Sequence, residues 1–470
     1  MSDNIPWLPA TELAGLIQRR EISASEIAEA LIDQVERVNP AINALVYWNP
    51  EQVLADAHDL DEHQAKVGIS GPLHGIPYTI KDLTAVRGVP LTLGLKALRE
   101  NIPESDAPVV ERMRAGGGLF LGKTNTPEVG YCGKTDNHLF GVTRNPWNLE
   151  MSSGGSSGGA GAAVAAGLGP LAEGSDGGGS IRVPAAFNGV VGLKPSLGRI
   201  PSTMLSQRFL TNLFHGPLTR TVADAALMLD VTSGEDARDP LSLPNPPHSY
   251  LENLTGDITG WRIAYSPDLG FGDVDPEVAA IVEKAMQAFT EAGAIVEMAT
   301  PSWPNPNDAM WKGVWVPGLA GFGVNFDVDS MSDELDDELI ELVKEGHHVT
   351  ASDVAEAEIT RGHIYDALTE FLGTHRILAS PTTMIATYPH ARFNPERLDG
   401  FPLRDRLLNW SMTHVYNMTT NPSISIPCGF TSDGRPVGLM LAARLHADDD
   451  VLNAAAAFER ARPWAQLRPV

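Results

Sequence analysis

The chain contains few cysteines and no long apolar run. Its 470 residues include two cysteines, Cys132 and Cys428, which are too few for a disulfide framework and lack the spacing of a zinc site. The longest weakly apolar stretch, 160–171, is rich in alanine and glycine and too short to cross a bilayer. The first residues lack the basic and apolar regions of a signal peptide. We therefore expect a cytoplasmic protein that has no membrane segment.

Positive charge is also scarce. The chain carries 34 lysines and arginines against 59 aspartates and glutamates, which gives a formal net charge of −25. Such a surface repels phosphates, and no basic stripe stands out, so we expect no nucleic-acid partner. Part of the acidity lies in 330–345. We interpret this segment as the solvated face of a helix capped by Ser332 rather than as an acidic docking site.

Hydrophobic residues make up 43% of the chain and charged residues 20%, which is typical of a folded globular protein. Residues 1–66 are predicted to be helical, with a helix that Ser23 caps and that stops before Pro40, and another over 50–66. From residue 76 onward, helix and strand signals alternate. This alternation predicts an α/β fold with a mostly parallel sheet.

Three later segments are predicted to be irregular. Residues 182–186 are expected to form a compact turn, and the segment from 216 a loop followed by a helix. Residues 303–374 interrupt the alternation and contain several aromatics in a stretch rich in glycine and proline. These aromatics either line an apolar substrate pocket or form a local core under a long loop.

The most distinctive stretch of the chain is 151–195, where two serines lie inside glycine clusters. Ser156 is flanked by two Gly-Gly pairs, and Ser180 follows three consecutive glycines. Glycine allows backbone N–H groups to converge on one point without interference from side chains. A nucleophilic hydroxyl beside such donors is what acyl transfer requires. This stretch therefore predicts a serine amide hydrolase.

Other motifs compete for the same residues. The Gly-x-Ser-x-Gly pattern around Ser156 matches the nucleophile elbow of α/β-hydrolases, which also needs a histidine such as His215, His363 or His414. An elbow follows an apolar strand, however, and 148–153 make a poor strand. No Lys-Ser or Lys-Thr pair follows the glycines, as a phosphate-binding loop would require, and the dinucleotide fingerprint lacks its third glycine.

Lys81 ends a short apolar segment, 76–81, that is predicted to be a buried strand. By itself this position is more typical of a lysine that reaches the surface or pairs with Asp82. Burial lowers the pKa of a lysine, however, and a neutral lysine can act as a general base. Serine–lysine arrangements are known variants of the catalytic triad, in which a second serine can relay the proton.

Together these motifs resemble the amidase signature family. The resemblance covers most of the chain, is densest over 71–199 and 376–443, and includes the spacing of Lys81, Ser156 and Ser180. It implies that Ser180 is the nucleophile, that Ser156 relays its proton to neutral Lys81, and that the peptide bond before Ser156 is cis. It implies no metal or organic cofactor. The implied oxyanion hole consists of the N–H groups of Gly177, Gly178, Gly179 and Ser180.

Ser157, Asp176 and Arg182 also match positions of the family, where an aspartate and an arginine fix the glycine turn. Gly177 departs from the family, which usually has threonine, isoleucine or alanine there. The resemblance further implies a single large α/β/α domain over 1–470, in which helices flank a central mixed, mostly parallel sheet. Its expected parts are an N-terminal helical part (1–66), a catalytic core (71–200) and a variable substrate-pocket segment (300–375).

The family includes amidotransferase A subunits, fatty-acid and aryl-acyl amidases, peptide amidases, nylon-oligomer hydrolases and urethane-cleaving enzymes. Residues 122–130 and 143–149 look like the nylon-oligomer and amidotransferase branches. We predict a stand-alone hydrolase of small amides, anilides or carbamates that have an apolar part, acting as a monomer or homodimer. The alternatives are the glutaminase component of a tRNA-dependent amidotransferase and an esterase that uses Ser156 and a histidine. The predicted substrate contacts are Tyr131, Cys132, Trp311 and Trp315.

Overall fold

A sheet of 11 strands runs through the molecule, flanked by helices, and a second sheet has two strands. The computed structural model describes residues 2–324 and 326–469. The strands are β1 (Leu45–Tyr47), β2 (Pro77–Lys81), β3 (Leu119–Thr124), β4 (Arg144–Asn145), β5 (Asn148–Ser152), β6 (Leu171–Asp176), β7 (Val191–Lys194), β8 (Phe214–Thr219), β9 (Arg262–Tyr265), β10 (Ile295–Met298), β11 (Ile377–Pro381), β12 (Ser423–Phe430) and β13 (Pro436–Ala442).

Helices account for much of the remaining chain. The α-helices are α1 (Ala10–Gln18), α2 (Ala24–Ile42), α3 (Pro50–Lys66), α4 (Pro108–Ala115), α5 (Gly158–Ala165), α6 (Arg182–Asn188), α7 (Val222–Thr232), α8 (Pro276–Ala285), α9 (Gln287–Glu291), α10 (Asn307–Met310), α11 (Val316–Gly323), α12 (Asp337–Gly346), α13 (Ala351–Leu372), α14 (Leu403–Leu408), α15 (Val415–Met418) and α16 (Asp448–Ala461). A π-helical turn spans Trp311–Trp315, and 3₁₀ turns span Ser2–Trp7, Lys96–Leu98, Glu128–Gly130 and Glu396–Leu398.

The large sheet has the order β1-β3-β2-β6-β8-β7-β12-β13-β11-β9-β10. Parallel pairing is confined to β3-β2-β6 near one edge and β11-β9-β10 at the other, and the remaining neighbours are antiparallel. The predicted α/β fold with a mixed sheet is confirmed, but parallel pairing does not predominate. The tight connection between β12 and β13 makes this pair antiparallel, because a parallel pair needs a long crossover.

The N-terminal part, 1–66, is not entirely helical as predicted, because Leu45–Tyr47 forms strand β1. Its helices agree with the sequence except at one end. Ser23 caps α2 in a capping box with Glu26, and α3 begins and ends as predicted. Helix α2 does not stop before Pro40 but continues to Ile42. The φ of proline is compatible with a helix, although its ring removes one backbone hydrogen bond and crowds the preceding turn. Only two residues of α2 follow Pro40. Asn43 then ends the helix in the left-handed conformation.

Two of the segments predicted to be irregular, and the segment predicted to be a poor strand, are regular. The expected turn at 182–186 is helix α6, in which Pro184 lies in the first turn where its missing N–H is not needed. The expected loop at 216 lies in strand β8, which is fully buried and pairs with β6 along its whole length. The poor strand at 148–153 is β5, but it pairs only with β4, outside the large sheet.

Residues 303–374 are mostly helical, contrary to the prediction of an irregular segment. The acidic stretch forms helix α12, which begins after Asp336 rather than at Ser332. Asp336 is held in an extended conformation, since its N–H donates to Glu128 and its carboxylate accepts from Tyr131. The helix can therefore start only after this residue. Among the residues described, no helix is long and apolar enough to cross a membrane.

The parallel pairing of β2 with β6 brings chemically distinctive residues together. The register sets Thr79 beside Ala172, so both strands end at the same edge of the sheet. Lys81 is the last residue of β2, and Asp176 is the last residue of β6. Ligands of α/β proteins bind at the carboxyl ends of parallel strands. The glycine cluster before Ser180 begins at this edge, directly after β6.

Docking of the N-terminal helices depends on Asp224 of α7, which we expect to be important for stability. This buried carboxylate accepts the N–H groups of Ala10 and Thr11 at 3.0 and 2.9 Å and thereby caps helix α1. Replacing Asp224 by alanine leaves both donors without a partner and should lower the free energy of unfolding by about 2 kcal/mol. Urea denaturation measures this change. Gln18→Ala, at an exposed position of α1, is the control, and an equal effect there would contradict the role of Asp224.

Candidate active site

The side chain of Lys81 is fully buried at the end of β2. Its Nζ lies 2.6 Å from Ser156 Oγ and 3.0 Å from Ser175 Oγ. Burial lowers the pKa of Lys81 to about 7, although the negative charges of Glu173 and Asp176 oppose the shift. A substantial fraction of this amine is therefore neutral near pH 7, and a neutral amine can accept a proton.

Ser156 is placed by the first glycine cluster. The peptide bond between Gly155 and Ser156 is cis, as the resemblance implied. A Cβ on Gly155 would lie 2.6 Å from the carbonyl oxygen of Lys134, so only glycine fits there. Helix α5 begins directly afterwards, at Gly158. The serine hydroxyl is thereby held against Lys81 rather than on the face of a helix.

Ser180 follows the second glycine cluster and lines a cleft. Within the described part of the chain, its hydroxyl makes no hydrogen bond, and it is therefore free to rotate. Ser157 ties the two glycine-rich turns together: its N–H donates to Ser180 O at 3.0 Å, and its hydroxyl donates to Ser175 O at 3.2 Å. The expected supporting position of Ser157 thus has a clear structural basis.

Asp176 and Arg182 form a fully buried ion pair under the glycine turn. The guanidinium donates to both carboxylate oxygens, at 2.8 and 3.0 Å, and also to Asn417 Oδ1 at 2.6 Å. Burial by itself raises the pKa of a carboxyl group, but the charge and hydrogen bonds of Arg182 hold the pKa of Asp176 well below its usual range. Asp176 is therefore a stable anion to which backbone N–H groups can bond.

The expected oxyanion hole requires one correction, which concerns Gly179. Its N–H donates to Asp176 Oδ1 at 2.7 Å, so this donor is already engaged. In the described residues, the N–H groups of Gly177, Gly178 and Ser180 make no hydrogen bonds. Gly179 instead shapes the turn, with φ at +135° and no room for a Cβ, which would lie 2.0 Å from Thr413 Oγ1. Three donors, not four, are free to bind an oxyanion.

The cleft beside Ser180 encloses about 390 Å³, open solvent included, and is mainly apolar. Tyr131, Cys132 and Trp315 line it, as predicted, but Trp311 does not. Trp311 is buried and donates its Nε1–H to Glu345 at 2.6 Å, so it belongs to the local core. No charged side chain of the described residues lines the cleft. Its remaining lining residues are Gly133, Gly155, Gly178, Gly179, Val183, Leu407, Leu408, Trp410 and Ser411.

One group of side chains near the cleft has the composition of a metal site. Ligand atoms of Glu128, His138 and Asp336 lie within 4.8 Å of one another. His138 Nδ1 lies 2.7 Å from Glu128 Oε1, and the Tyr131 hydroxyl donates to Asp336 at 2.8 Å. Burial raises the pKa of both carboxyl groups, and the charge of Asp336 raises that of Glu128 further. These hydrogen bonds explain why the three side chains lie together: they link Tyr131, which lines the cleft, to the start of helix α12.

Comparison with known proteins finds relatives that match almost the whole chain. The model of the family described as Amidase matches residues 26–452. An acylamidase of Rhodococcus erythropolis is 53% identical over 99% of this chain and 98% of its own length. The A subunit of the glutamyl-tRNA(Gln) amidotransferase of Moorella thermoacetica is 35% identical over 98% of both chains. The crystal structure of a bacterial aryl acylamidase superposes with a TM-score of 0.92 at 33% identity, over 98% of this chain and 97% of the other.

The chain belongs to the amidase family. It is accordingly a hydrolase that acts on carbon–nitrogen bonds of amides other than peptide bonds, as the sequence predicted.

The histidines proposed for an elbow mechanism lie elsewhere in this amidase. His215 bonds to Glu173, His414 bonds to Asn307, and His363 is exposed on α13. None of the three contacts the hydroxyl of Ser156, whose hydrogen-bond partner among the described residues is Lys81. Burial also lowers the pKa of His414 to about 3. The arrangement therefore speaks against an esterase that uses Ser156 and a histidine.

Cys132 is a buried thiol at the wall of the cleft. Its Sγ–H donates to Lys134 O at 3.5 Å, and burial raises its pKa to about 12. A thiol that stays protonated at neutral pH is a poor nucleophile. Its contribution is therefore to the shape of the cleft and not to the chemistry.

Sequence reasoning missed several residues of the site. Ser175 bonds to Lys81 and directly precedes Asp176, so its place in the motif was a usable signal. Glu173 accepts the backbone N–H of Lys81. Its position two residues before Ser175 places it on the same face of β6, and this was a weaker signal. The wall formed by Leu407, Leu408 and Trp410 had no signal, because it lies in a stretch that has no motif and reaches the cleft only through the tertiary fold.

Replacement by alanine should have different effects at Gly177 and Gly179 of the turn. A Cβ at Gly179 clashes with Thr413 and has an unfavourable φ, whereas a Cβ at Gly177 would make only ordinary contacts at 3.7 Å with Leu213 and Trp315. We expect Gly179→Ala to lower kcat/KM for an anilide by about 10²-fold or more, as is typical when oxyanion donors are misplaced. Gly177→Ala should stay within about 3-fold of the wild type. Equal losses in both variants would contradict this picture.

Proposed function

We propose that this amidase forms an acyl-enzyme on Ser180, with Ser156 relaying the proton of Ser180 to neutral Lys81. The observation that carries the proposal is the buried Lys81 Nζ, 2.6 Å from Ser156 Oγ and free of any carboxylate partner in the described structure. Rotation of the unbonded Ser180 hydroxyl completes the relay, because catalytic hydrogen bonds often tighten only when substrate binds.

In this mechanism Ser180 Oγ attacks the amide carbonyl, and its proton passes through Ser156 to Lys81. The free N–H groups of Gly177, Gly178 and Ser180 stabilise the oxyanion. The same relay then returns the proton to the departing amine, and water hydrolyses the acyl-enzyme. Since an amine is a poor leaving group, this second transfer is needed more for amides than for esters. A Lys81 pKa of about 7 suits both directions of transfer at neutral pH.

The proposed substrates are small uncharged amides, anilides or carbamates (urethanes) that have an apolar or aromatic part. The cleft supports this choice, since it offers Trp315, Trp410 and two leucines as contacts and no charged side chain of the described residues. Glutamine, the alternative substrate, carries an ammonium and a carboxylate group that call for charged partners. The names of the acylamidase and aryl acylamidase relatives point the same way.

The proposed setting of the enzyme is the cytoplasm, where it acts as a monomer or homodimer on small molecules and without nucleic acid. Its two cysteines are both free, which fits a reducing compartment. The proposed chemistry requires no metal or organic cofactor, because the base, the relay and the oxyanion donors all come from the chain itself.

Alanine variants of the three residues test this function on a chromogenic anilide and the matching ester. We expect Ser180→Ala to lose about 10⁴-fold or more in kcat on both substrates. Lys81→Ala should lose about 10-fold more activity on the anilide than on the ester, since only the amine needs protonation to leave. Lys284→Ala, at an exposed lysine of α8, is the matched control and should behave as the wild type.

Circular dichroism checks that each variant is folded. Retention of activity in Ser180→Ala together with its loss in Ser156→Ala would contradict the proposed nucleophile. A wild-type protein that cleaves neither substrate alone, but hydrolyses glutamine once the partner chains of an amidotransferase are added, would favour the glutaminase function.

A further inference from the structure

Glu173 is a fully buried glutamate in β6 that the mechanism above does not use. One carboxylate oxygen accepts the backbone N–H of Lys81 at 3.0 Å. The other accepts the hydroxyl of Thr84 at 3.1 Å and lies 2.6 Å from His215 Nδ1. The carboxylate is therefore fixed beside the residue that carries the proposed base, with no contact to solvent.

We propose that Glu173, held by His215, is a positioning residue that sets the pH at which Lys81 becomes able to accept a proton. This inference rests on the proposed role of Lys81 as the base. It concerns residues outside the three that carry out the reaction.

Two carboxylates face Lys81, those of Glu173 and Asp176, both on β6. The charge of Asp176 is compensated by the bidentate Arg182, whereas no arginine or lysine side chain of the described residues bonds to Glu173. A negative charge in a buried site favours the protonated amine. Glu173 therefore opposes the effect of burial and keeps Lys81 from becoming neutral far below physiological pH.

Nearby groups determine whether Glu173 is ionised. Burial by itself would raise the pKa of Glu173, but the hydrogen bonds from His215 and from the backbone N–H of Lys81 hold this pKa below its usual range. The other nitrogen of His215 lies 3.2 Å from Ser202 Oγ, in a second cavity that shares no lining residue with the cleft. The remaining charged neighbours, Lys123 and Asp82, pair with each other at 3.1 Å.

Glu173→Gln removes the charge and preserves the shape of the side chain. The amide oxygen can accept the Lys81 N–H, and the amide nitrogen can donate to His215 in its other tautomer. Because the neutral amine is the active form, kcat/KM for the anilide rises as pH passes upward through the pKa of Lys81. Loss of the nearby negative charge should move this rise to lower pH by about one unit. Glu459→Gln, at a partly buried glutamate of α16, is the control and should leave the profile unchanged.

Two further variants separate charge from packing. Glu173→Met also removes the charge and replaces the glutamine variant if that variant does not fold, and it should move the profile in the same direction. Glu173→Asp keeps the charge and should hold the midpoint within about 0.3 unit of wild type. A midpoint that is unchanged in a folded neutral variant, or that moves equally in the aspartate variant, would overturn the inference.

Labelling of Ser180 by a fluorophosphonate gives a second readout that involves no leaving amine. Its rate should follow the same pH dependence and show the same shift in the neutral variants. If wild-type labelling shows no rise near neutral pH, or persists in Lys81→Ala, the proposed role of Lys81 is wrong. If the rise is present but identical in the neutral Glu173 variants, only the inference about Glu173 is wrong.

Discussion

An amine buried without a carboxylate partner is the constraint on which the rest of this site depends. In the described structure, Lys81 Nζ contacts two serine hydroxyls and no acidic side chain. Desolvation of a charged ammonium is costly, so such an amine loses its proton readily. A salt-bridged lysine at this position would stay charged and could not act as a base. The nearby carboxylates bond to backbone N–H groups, to Arg182 or to His215, and the amine is left to the serines.

The two glycine-rich turns deliver the serines to this amine. Gly155 and Gly179 are each surrounded so closely that a Cβ would clash, and each lies next to a serine. The first turn holds the hydroxyl of Ser156 against the amine. In the second turn, the N–H groups of Gly177, Gly178 and Ser180 have no hydrogen-bond partner among the described residues. The buried pair of Asp176 and Arg182 fixes the second turn, because Asp176 accepts the N–H of Gly179. In the proposed mechanism the donors are therefore in place before substrate arrives, as an oxyanion hole requires.

The sequence predicted those features that depend on local chemistry. The glycine clusters and the Ser23 cap are local signals, whereas the expected Ser332 cap was wrong. The spacing of Lys81, Ser156 and Ser180 came from the family resemblance, and the structure places these residues at one edge of the sheet. Strand β8 was missed because a segment with glycine and proline forms a strand only when it is buried between two others. Trp311 was assigned to the cleft because its direction depends on the π-helical turn, which the sequence pattern did not predict.

Direct titration of Lys81 tests the central claim. Protein labelled with 13C at the ε carbon of lysine reports the protonation of each amine through its carbon shift, and a Lys81→Met variant identifies the resonance. We predict that this resonance titrates with a pKa of about 7. A midpoint near 10.4, roughly the ordinary value for lysine, would mean that the amine is charged at neutral pH. In that case Lys81 could not take the proton of Ser180, and another group would have to be the base.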